Sequence, residues 1–404
     1  MPPFDPFAHY LAYGATDQET FRSLTGIYNG ILVPATIAAW QRQGTGGFVL
    51  SLSAADHATP YMIDPRFPLF QQGLAAPKQS HRALVDLLGD PDLIQMSDPA
   101  PEDFPDARLV RLARRWVDFN AQYGESSSER FDKYAQRLGE SIEPERAQSP
   151  ETVLAPYFAC GGTADGWWER SASFYRHTVQ TCGDGKCLRV VCAHSSGALN
   201  ELLGDVESQA QLVVWVSGLD EHNAALDELI GYRTAIENAG VRGQEIFALY
   251  GGFFSVLLGT VGLRGAAHGV GFSEHRFWRE LPESGAPPAR YYLPRAHRYV
   301  TQGLAQILWE RNPALTVCSC PHCDGRAPVQ LDYHELMKHS VYCRAEEIEH
   351  WCGIHLDEAS ARLLAEHTSL SAEVQRLGLV PRLLDRAMSA LAHLPTWARA
   401  LGSG

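Results

Sequence analysis

A succession of short apolar runs, each closed by small or polar residues, constrains this chain more than any other feature. The runs are Ile31–Val33, Phe48–Leu52, Tyr61–Ile63, Val153–Phe158, Leu188–Cys192, Leu212–Val216, Ile246–Tyr250, Gly269–Phe272 and Tyr291–Leu293. Runs that are continuously apolar belong to strands buried on both faces, the environment of a parallel sheet covered by helices. Helix-length segments lie between many of them, including Trp168–Val179, Asp220–Asn238 and Phe253–Leu263. Repeats at roughly 25–35-residue spacing suit an α/β chain closed into a (β/α)8 TIM barrel better than an open sheet. There are more runs than the eight such a barrel takes, so at least one strand falls outside it.

The rhythm breaks over about 72–150. Asp98–Asp106 is rich in proline and acid, Arg108–Asn120 reads as an amphipathic helix, and Ser126–Gln148 reads as an exposed charged insertion. The barrel is therefore expected over 1–317 with this insertion. A cysteine-rich subdomain over 318–355 and C-terminal helices over 356–404 follow, with Leu356–Ala365 and Val380–Leu394 as the helical stretches.

A chain of 404 residues that is 45% apolar can bury a large core. Its formal charge is 34 − 47 = −13, so no overall basic field attracts nucleic acid. Such a partner would need a local patch, for which Arg276, Arg279, Arg290, Arg295 and Arg298 are available. Ile246–Leu263 carries no charge but is broken by Gly251, Gly252, Gly259 and Gly262, which predicts a strand, a turn and a buried helix rather than a membrane span. Nine cysteines, an odd number, suit a reducing compartment. Met1-Pro2-Pro3-Phe4-Asp5 has neither part of a secretory signal, and a cytoplasmic protein with no membrane contact is expected.

Cys318-Ser319-Cys320-Pro321-His322-Cys323 has the spacing of a tetrahedral zinc site. The fourth ligand must come from further on, where His334, His339, Cys343, His350, Cys352 and His355 are available. Three thiolates and a fourth protein ligand leave no open position for substrate, so this Zn2+ would be structural. Chemistry in a barrel sits just past the C-terminal strand ends. Those positions hold Asp64, Gly161 and Gly162, His194, Ser217-Gly218-Leu219, Gly251, and Glu274-His275-Arg276, with His268 near the same edge. Asp64 and Glu274 are the isolated carboxylates of the set. Two carboxyl groups are what acid–base and nucleophilic work on a glycosidic bond requires. As catalytic groups both would sit solvated at their strand ends; the alternatives are a turn former before Pro65 or a helix N-cap for Asp64, and an ion pair with Arg276 or Arg279 for Glu274.

The Cys-x-Cys-x-x-Cys pattern with a distant His after α/β units resembles the tRNA-guanine transglycosylase family. Tyr61–Gln71 is similar to its strand ending in Asp-Ser-Gly-Gly-Phe-Gln, keeping Asp64 and losing the Ser-Gly-Gly. Tyr157–Gly162 is similar to the strand ending in Gln-Gly-Gly, with Cys160 in place of Gln. Ser217-Gly218-Leu219 resembles the Gly-Gly-Leu loop that faces the base, and Leu249–Gly265 the Leu-Met-Gly strand and helix. After Gly265 the family's nucleophilic Asp is missing, and Glu274 stands at a shifted position. His339, 16 residues past Cys323, is the best counterpart of the family's His ligand. The resemblance spans about residues 45–71 and 154–350 and implies a divergent relative, closer to those that insert 7-deazaguanines into DNA. It implies a zinc-stapled barrel that exchanges guanine for a 7-deazaguanine at the N-glycosidic bond in DNA or tRNA. Asp64 and Glu274 would be catalytic. Gly161, Gly162, Ser217, Gly218, Leu219, Gly251, His268 and Arg276 would bind the nucleic acid and its purine or 7-deazapurine base. Cys318, Cys320, Cys323 and His339 would hold Zn2+. A homodimer or an accessory protein is compatible with this reading. The rival readings are a nucleoside hydrolase or glycosyltransferase on small substrates, and a non-catalytic zinc-stapled barrel that binds nucleic acid.

Overall fold

The computed structural model describes residues 7–14, 18–55, 58–125, 129–139, 148–150, 152–183, 185–271, 274–279 and 290–402. Parallel strands form a nearly closed ring in the order β3-β2-β1-β9-β8-β7-β6-β4, with β5 beside β6. These are β1 Ala8–Ala12, β2 Gly30–Pro34, β3 Tyr61–Asp64, β4 Val153–Leu154, β5 Ala159–Cys160, β6 Cys187–Ala193, β7 Gln211–Val216, β8 Glu245–Ala248 and β9 Leu263–Gly269. Both β4 and β5 pair with β6, so they fill one barrel position in two pieces. Pro156 lies between them and has no N–H to give a ladder. The chain is therefore an eight-position α/β barrel of the TIM type.

The pleat sends alternate side chains to opposite layers. Tyr10, Leu32, Met62, Tyr157, Val213, Trp215, Phe247 and Leu249 fill the lumen. Leu11, Ile31, Val33, Ile63, Val191, Val214 and Ala248 face the surrounding helices. Between β3 and the β4–β5 position the ring is completed by packing and by side-chain bonds, those of Gln71 among them. Gln71 donates from Nε2 to the Ala159 carbonyl at 2.9 Å and accepts the Ala159 N–H at 2.6 Å, replacing a ladder pair.

Several expected strands hold and others do not. Phe48–Leu52 lies in the helix Arg42–Ala54, whose residues Thr45–Ala54 are all buried. A helix apolar all round gives no period to separate it from a buried strand. β1 was not expected, because Ala-His-Tyr-Leu-Ala has no β-branched residue. The eighth barrel position is taken by Leu263–Gly269 rather than by Gly269–Phe272, whose Phe272 is outside the described residues. Tyr291–Leu293 forms β10 (Arg290–Leu293), which pairs antiparallel with β11 (Arg298–Thr301) outside the barrel.

Within the insertion, the helix Asp106–Tyr123 buries Leu109, Leu112, Trp116 and Tyr123. Trp116 donates to the Leu154 carbonyl at 2.8 Å. The helix Glu129–Leu138 packs against Arg42–Ala54, with Tyr134 edge-on to Phe48. That part of Ser126–Gln148 is thus docked rather than free. Residues 126–128 and 140–147 of the same stretch lie outside the described residues. The helix Tyr333–Trp351 follows the cysteine segment and packs on β10, and the helices Leu356–Gln375, Pro381–Ser389 and His393–Gly402 complete the chain. Among the described residues no helix is long and apolar enough to cross a membrane.

Gln71→Ala would leave a buried N–H and a buried carbonyl of Ala159 unpaired, each at a cost of about 1–3 kcal/mol. Urea unfolding of this variant is expected to show a loss of at least ~1 kcal/mol, well beyond that of Gln72→Ala. Equal effects from the two substitutions would show that the clamp does not close the ring.

Candidate active site and metal centre

Asp64 ends β3 inside the C-terminal mouth of the lumen and is fully buried. Tyr157 donates its hydroxyl to Oδ1 at 2.8 Å and Tyr250 to Oδ2 at 2.7 Å. The Arg66 N–H also donates to Oδ1, at 3.1 Å, and the Arg66 guanidinium lies 3.8 Å from Oδ2. This geometry places Arg66 in the left-handed region (φ 58°), a position that favours glycine and that a non-glycine residue occupies under strain. Burial opposes the Arg66 charge, but Tyr250, Asp64 and Tyr157 outweigh it and hold its pKa above the ordinary value. Burial, reinforced by the Asp64 charge, pushes both tyrosine hydroxyls up, so they stay neutral donors. The expectation of a solvated Asp64 is corrected: the carboxylate sits in a dry, fully hydrogen-bonded socket.

The segment 274–279 crosses the mouth. The Arg276 carbonyl accepts from Gly218 N–H at 2.8 Å and from Trp215 Nε1 at 3.1 Å, and the Trp278 N–H donates to Ser217 Oγ at 3.1 Å. Gly218 has φ +74°, and a side chain there would strike the Phe277 ring, so both backbone and space call for glycine. The Arg276 guanidinium lies over the Tyr250 ring at 5.2 Å, while burial lowers its pKa. Trp278 stacks on exposed His194 with ring centroids 5.4 Å apart and planes within 6°, and Arg279 lies 4.6 Å from the Trp278 centroid. Gly161, exposed beside His194, donates its N–H to Asp165 at 2.8 Å.

Glu274 begins this segment but turns into the layer outside the strands. Its Oε1 meets the Arg344 guanidinium at 2.5 Å. Glu221 lies close by, accepting from Gly252 N–H, Phe254 N–H and Ser255 Oγ. A Cβ on Gly252 would fall 2.6 Å from Glu221 and 2.8 Å from Glu274, which is why no larger residue fits between these carboxylates. Burial raises the Glu274 pKa to about 7, with Arg344 pulling the other way and Glu221 and Glu347 adding to the rise. The expectation of a solvated Glu274 is corrected as well, since it is 6% exposed. His268 lies in this layer too, its Nδ1 2.8 Å from the Gly251 carbonyl and its ring edge-on to His9.

The site residues named from sequence therefore divide between two layers. Asp64, Gly161, Ser217, Gly218 and Arg276 meet at the mouth. Glu274, Gly251 and His268 are packed outside the strands, Leu219 leans on the outer core, and Gly162 is buried against Glu201. Asp64 and Glu274 share no bonding partner among the described residues. Tyr157, Tyr250, Arg66 and the Trp278–His194 stack were missed. The tyrosines were legible as polar-tipped residues at strand ends, whereas the stack joins segments distant in sequence.

The cysteine segment closes on the helix Tyr333–Trp351. Ligand atoms of Cys318, Cys320, Cys323 and His339 all lie within 4.8 Å of one another, and the group could hold a metal ion. His339 Nδ1 is 3.2 Å from the Cys323 sulfur and 3.5 Å from that of Cys320. Tetrahedral zinc with ordinary bond lengths separates sulfur and nitrogen ligands by about 3.5 Å. His339 Nε2 lies 2.7 Å from the Tyr292 carbonyl, which it can meet only as a donor, leaving Nδ1 to face the thiols. His350 instead contacts the Glu346 carbonyl, and His355 caps the helix that follows.

No family model and no curated protein matches the chain. Among solved structures it is similar to a protein from Coccidioides immitis described as a candidate fructose-1,6-biphosphate aldolase, with 10% identity, 85% of this chain and 90% of that one covered, and a TM-score of 0.33. It is also similar to nitroalkane oxidase from Streptomyces ansochromogenes, with 11% identity, 86% and 88% covered, and a TM-score of 0.28. At these scores neither likeness bears on function.

Two outcomes follow. Metal analysis is expected to find about one equivalent per chain, and Cys320→Ser to lose metal and stability together, because binding energy at a closed site is folding energy; full stability without metal would rule this out. The Glu274 pKa is raised on folding, so its stabilising contribution is complete below about 4.5 and is lost as pH rises through about 7. Glu274→Gln should flatten the pH dependence of unfolding free energy across that window, and an unchanged slope would place the titration elsewhere.

Proposed function

We propose that the chain is a glycosyltransferase that exchanges guanine for a 7-deazaguanine at the N-glycosidic bond of a nucleotide in DNA or tRNA. In this reading Cys318, Cys320, Cys323 and His339 hold structural Zn2+. The observation that carries the proposal is Asp64, a buried carboxylate at the lumen mouth with each oxygen held by a tyrosine hydroxyl. Breaking the bond between C1′ and a purine nitrogen builds positive charge on the sugar, which a preorganised carboxylate in a dry site stabilises. Asp64 attacks C1′, the base leaves with the bonding electrons, and the resulting glycosyl ester is opened by the incoming base. Tyr157 and Tyr250 fix the carboxylate without taking its charge. The departing base needs a proton, and His194, exposed on this rim with half-buried Asp165 nearby, is placed to supply it.

The rim suits a base drawn out of its stack. Trp278 and His194 offer aromatic faces, and Arg276 and Arg279 bring positive charge to an otherwise acidic chain. Glu274, paired with Arg344, serves here as the anchor of the rim segment. Structural zinc supplies ordering of the helix Tyr333–Trp351 and takes no part in the reaction.

Incorporation of labelled guanine or a 7-deazaguanine into DNA, tRNA and free nucleosides tests the proposal. Asp64→Asn is expected to lower turnover by ~10²-fold or more while the barrel stays folded. Exchange that survives Asp64→Asn would refute the assignment. A wild-type protein that binds nucleic acid tightly without exchange or hydrolysis would establish the non-catalytic reading.

A further inference from the structure

Two arginines share the barrel mouth with one carboxylate. Arg66 is 9% exposed, its guanidinium 3.8 Å from Asp64 Oδ2 and bonded to the Tyr250 hydroxyl. Arg276 reaches the same tyrosine from the rim segment, half-buried, with its guanidinium over the ring. Arg66 and Asp64 both act on the Arg276 charge, in opposite senses, and Asp64 is the single carboxylate that does so. Among the described residues the Arg276 guanidinium has no ion pair and no hydrogen bond, and its buried Nε is without a partner. A guanidinium carries several N–H donors, and leaving the donors of a charged group unmade in a dry site is costly. With Asp64 ionised the two arginines still outweigh it, 2 − 1 = +1.

We infer that Arg66 and Arg276 form a binding site for one phosphodiester group of a nucleic-acid strand, the phosphate beside the sugar that Asp64 would attack. The inference deepens the function proposed above and rests on its claim that the mouth takes a nucleotide of a strand. Guanidinium groups match phosphate oxygens in paired, parallel bonds, and here two of them converge on one mouth. Charge selects the kind of phosphate. A diester within a strand carries one negative charge, which the single surplus positive charge cancels. A phosphate monoester carries about 1.5 to 2 negative charges, so part of its charge would be buried without a partner. A nucleoside has no phosphate to offer. Position agrees with charge, since phosphates flank the sugar of every nucleotide in a strand and Arg66 stands two residues from Asp64. The left-handed backbone of Arg66 (φ 58°) turns its N–H back to Asp64 while its guanidinium lies beside the same carboxylate. Such local strain persists where the conformation serves a site. No covalent bond is made or broken at the phosphate.

The test uses the full chain and oligothymidylate, which has phosphodiesters but no purine and so reads binding without exchange. Arg276→Gln is expected to weaken this binding about tenfold or more, the scale of a lost charge-assisted hydrogen bond. It should also lower the slope of log K against log salt by about 0.7, the counterion release at one single-strand phosphate. Arg311→Gln, at an exposed helix end, should change neither quantity. Arg66→Gly suits the left-handed backbone, and it should fold and weaken binding to a similar degree. If Arg276→Gln does not fold, Arg66→Gly decides by the same readings. As competitors, the thymidine dinucleotide with one diester should displace the strand at lower concentration than thymidine 5′-monophosphate or inorganic phosphate. The reverse order would assign the site to a small phosphorylated molecule and overturn the inference. Losses from Arg311→Gln as large as from Arg276→Gln would reduce the effect to overall charge, and wild-type protein that ignores oligothymidylate would leave no site to assign; either overturns it. Exchange that depends on Asp64, with strand binding indifferent to both arginines, would sink the phosphate site alone. Strand binding that depends on them without any exchange would uphold the site and refute the glycosyl-transfer step.

Discussion

One guanidinium organises the outer layer of this barrel. Arg344 lies 2.5 Å from Glu274 and 3.0 Å from Glu347, and it is 3% exposed. Glu347 also accepts from the Tyr292 hydroxyl and contacts His297, whose other nitrogen reaches Glu366. The chain Glu274–Arg344–Glu347–His297–Glu366 thereby joins the rim segment, the helix Tyr333–Trp351, the β10–β11 hairpin and the helix Leu356–Gln375. Removing one member of such a buried set leaves a charge uncompensated, at about 3–5 kcal/mol. Glu274 is the member that carries this rigidity toward the mouth. Two residues on, Arg276 covers Tyr250, and Tyr250 holds Asp64.

The strand pleat keeps this network apart from the lumen. On β9, Ala267 faces inward while Ala266 lies in the outer core, and His268 beyond them bonds to Gly251 outside. The lumen is given over to apolar side chains, and its polar groups gather at the mouth around Asp64. The two carboxylates singled out from sequence thus work in different media. Asp64 is surrounded by hydrogen-bond donors, whereas Glu274 competes with Glu221 and Glu347 for a single cation.

What the chain discloses before folding follows from which interactions are local. Strands rich in Val, Ile and Leu, such as Leu188–Cys192 and Leu212–Val216, announce themselves, because burial on both faces demands continuous apolar runs. β1 does not, since its Ala-His-Tyr-Leu-Ala takes its role from neighbours on β2 and β9. The cysteine spacing is a local chelate and was legible down to His339. Cys343 was visible only as one of several donors, for nothing in sequence shows that its sulfur lies beside Cys318. Asp64 was legible because its strand end is local. The partition of Glu274 away from it was not, because Arg344 lies 70 residues further along and arrives on another element.

The position of the metal cluster has its own logic in this light. Cys343 and Arg344 are consecutive residues, so the helix turn that meets the cysteines also delivers the guanidinium to Glu274. A crowd of carboxylates around one arginine is a poor source of stability by itself, since the desolvation of each charge rivals the attraction it gains. Metal binding, in contrast, contributes folding free energy directly. A metal bound at the cysteines would fix the helix first and leave the buried charges no alternative geometry. The conformation of the rim over Asp64 would then be set by coordination chemistry outside the barrel.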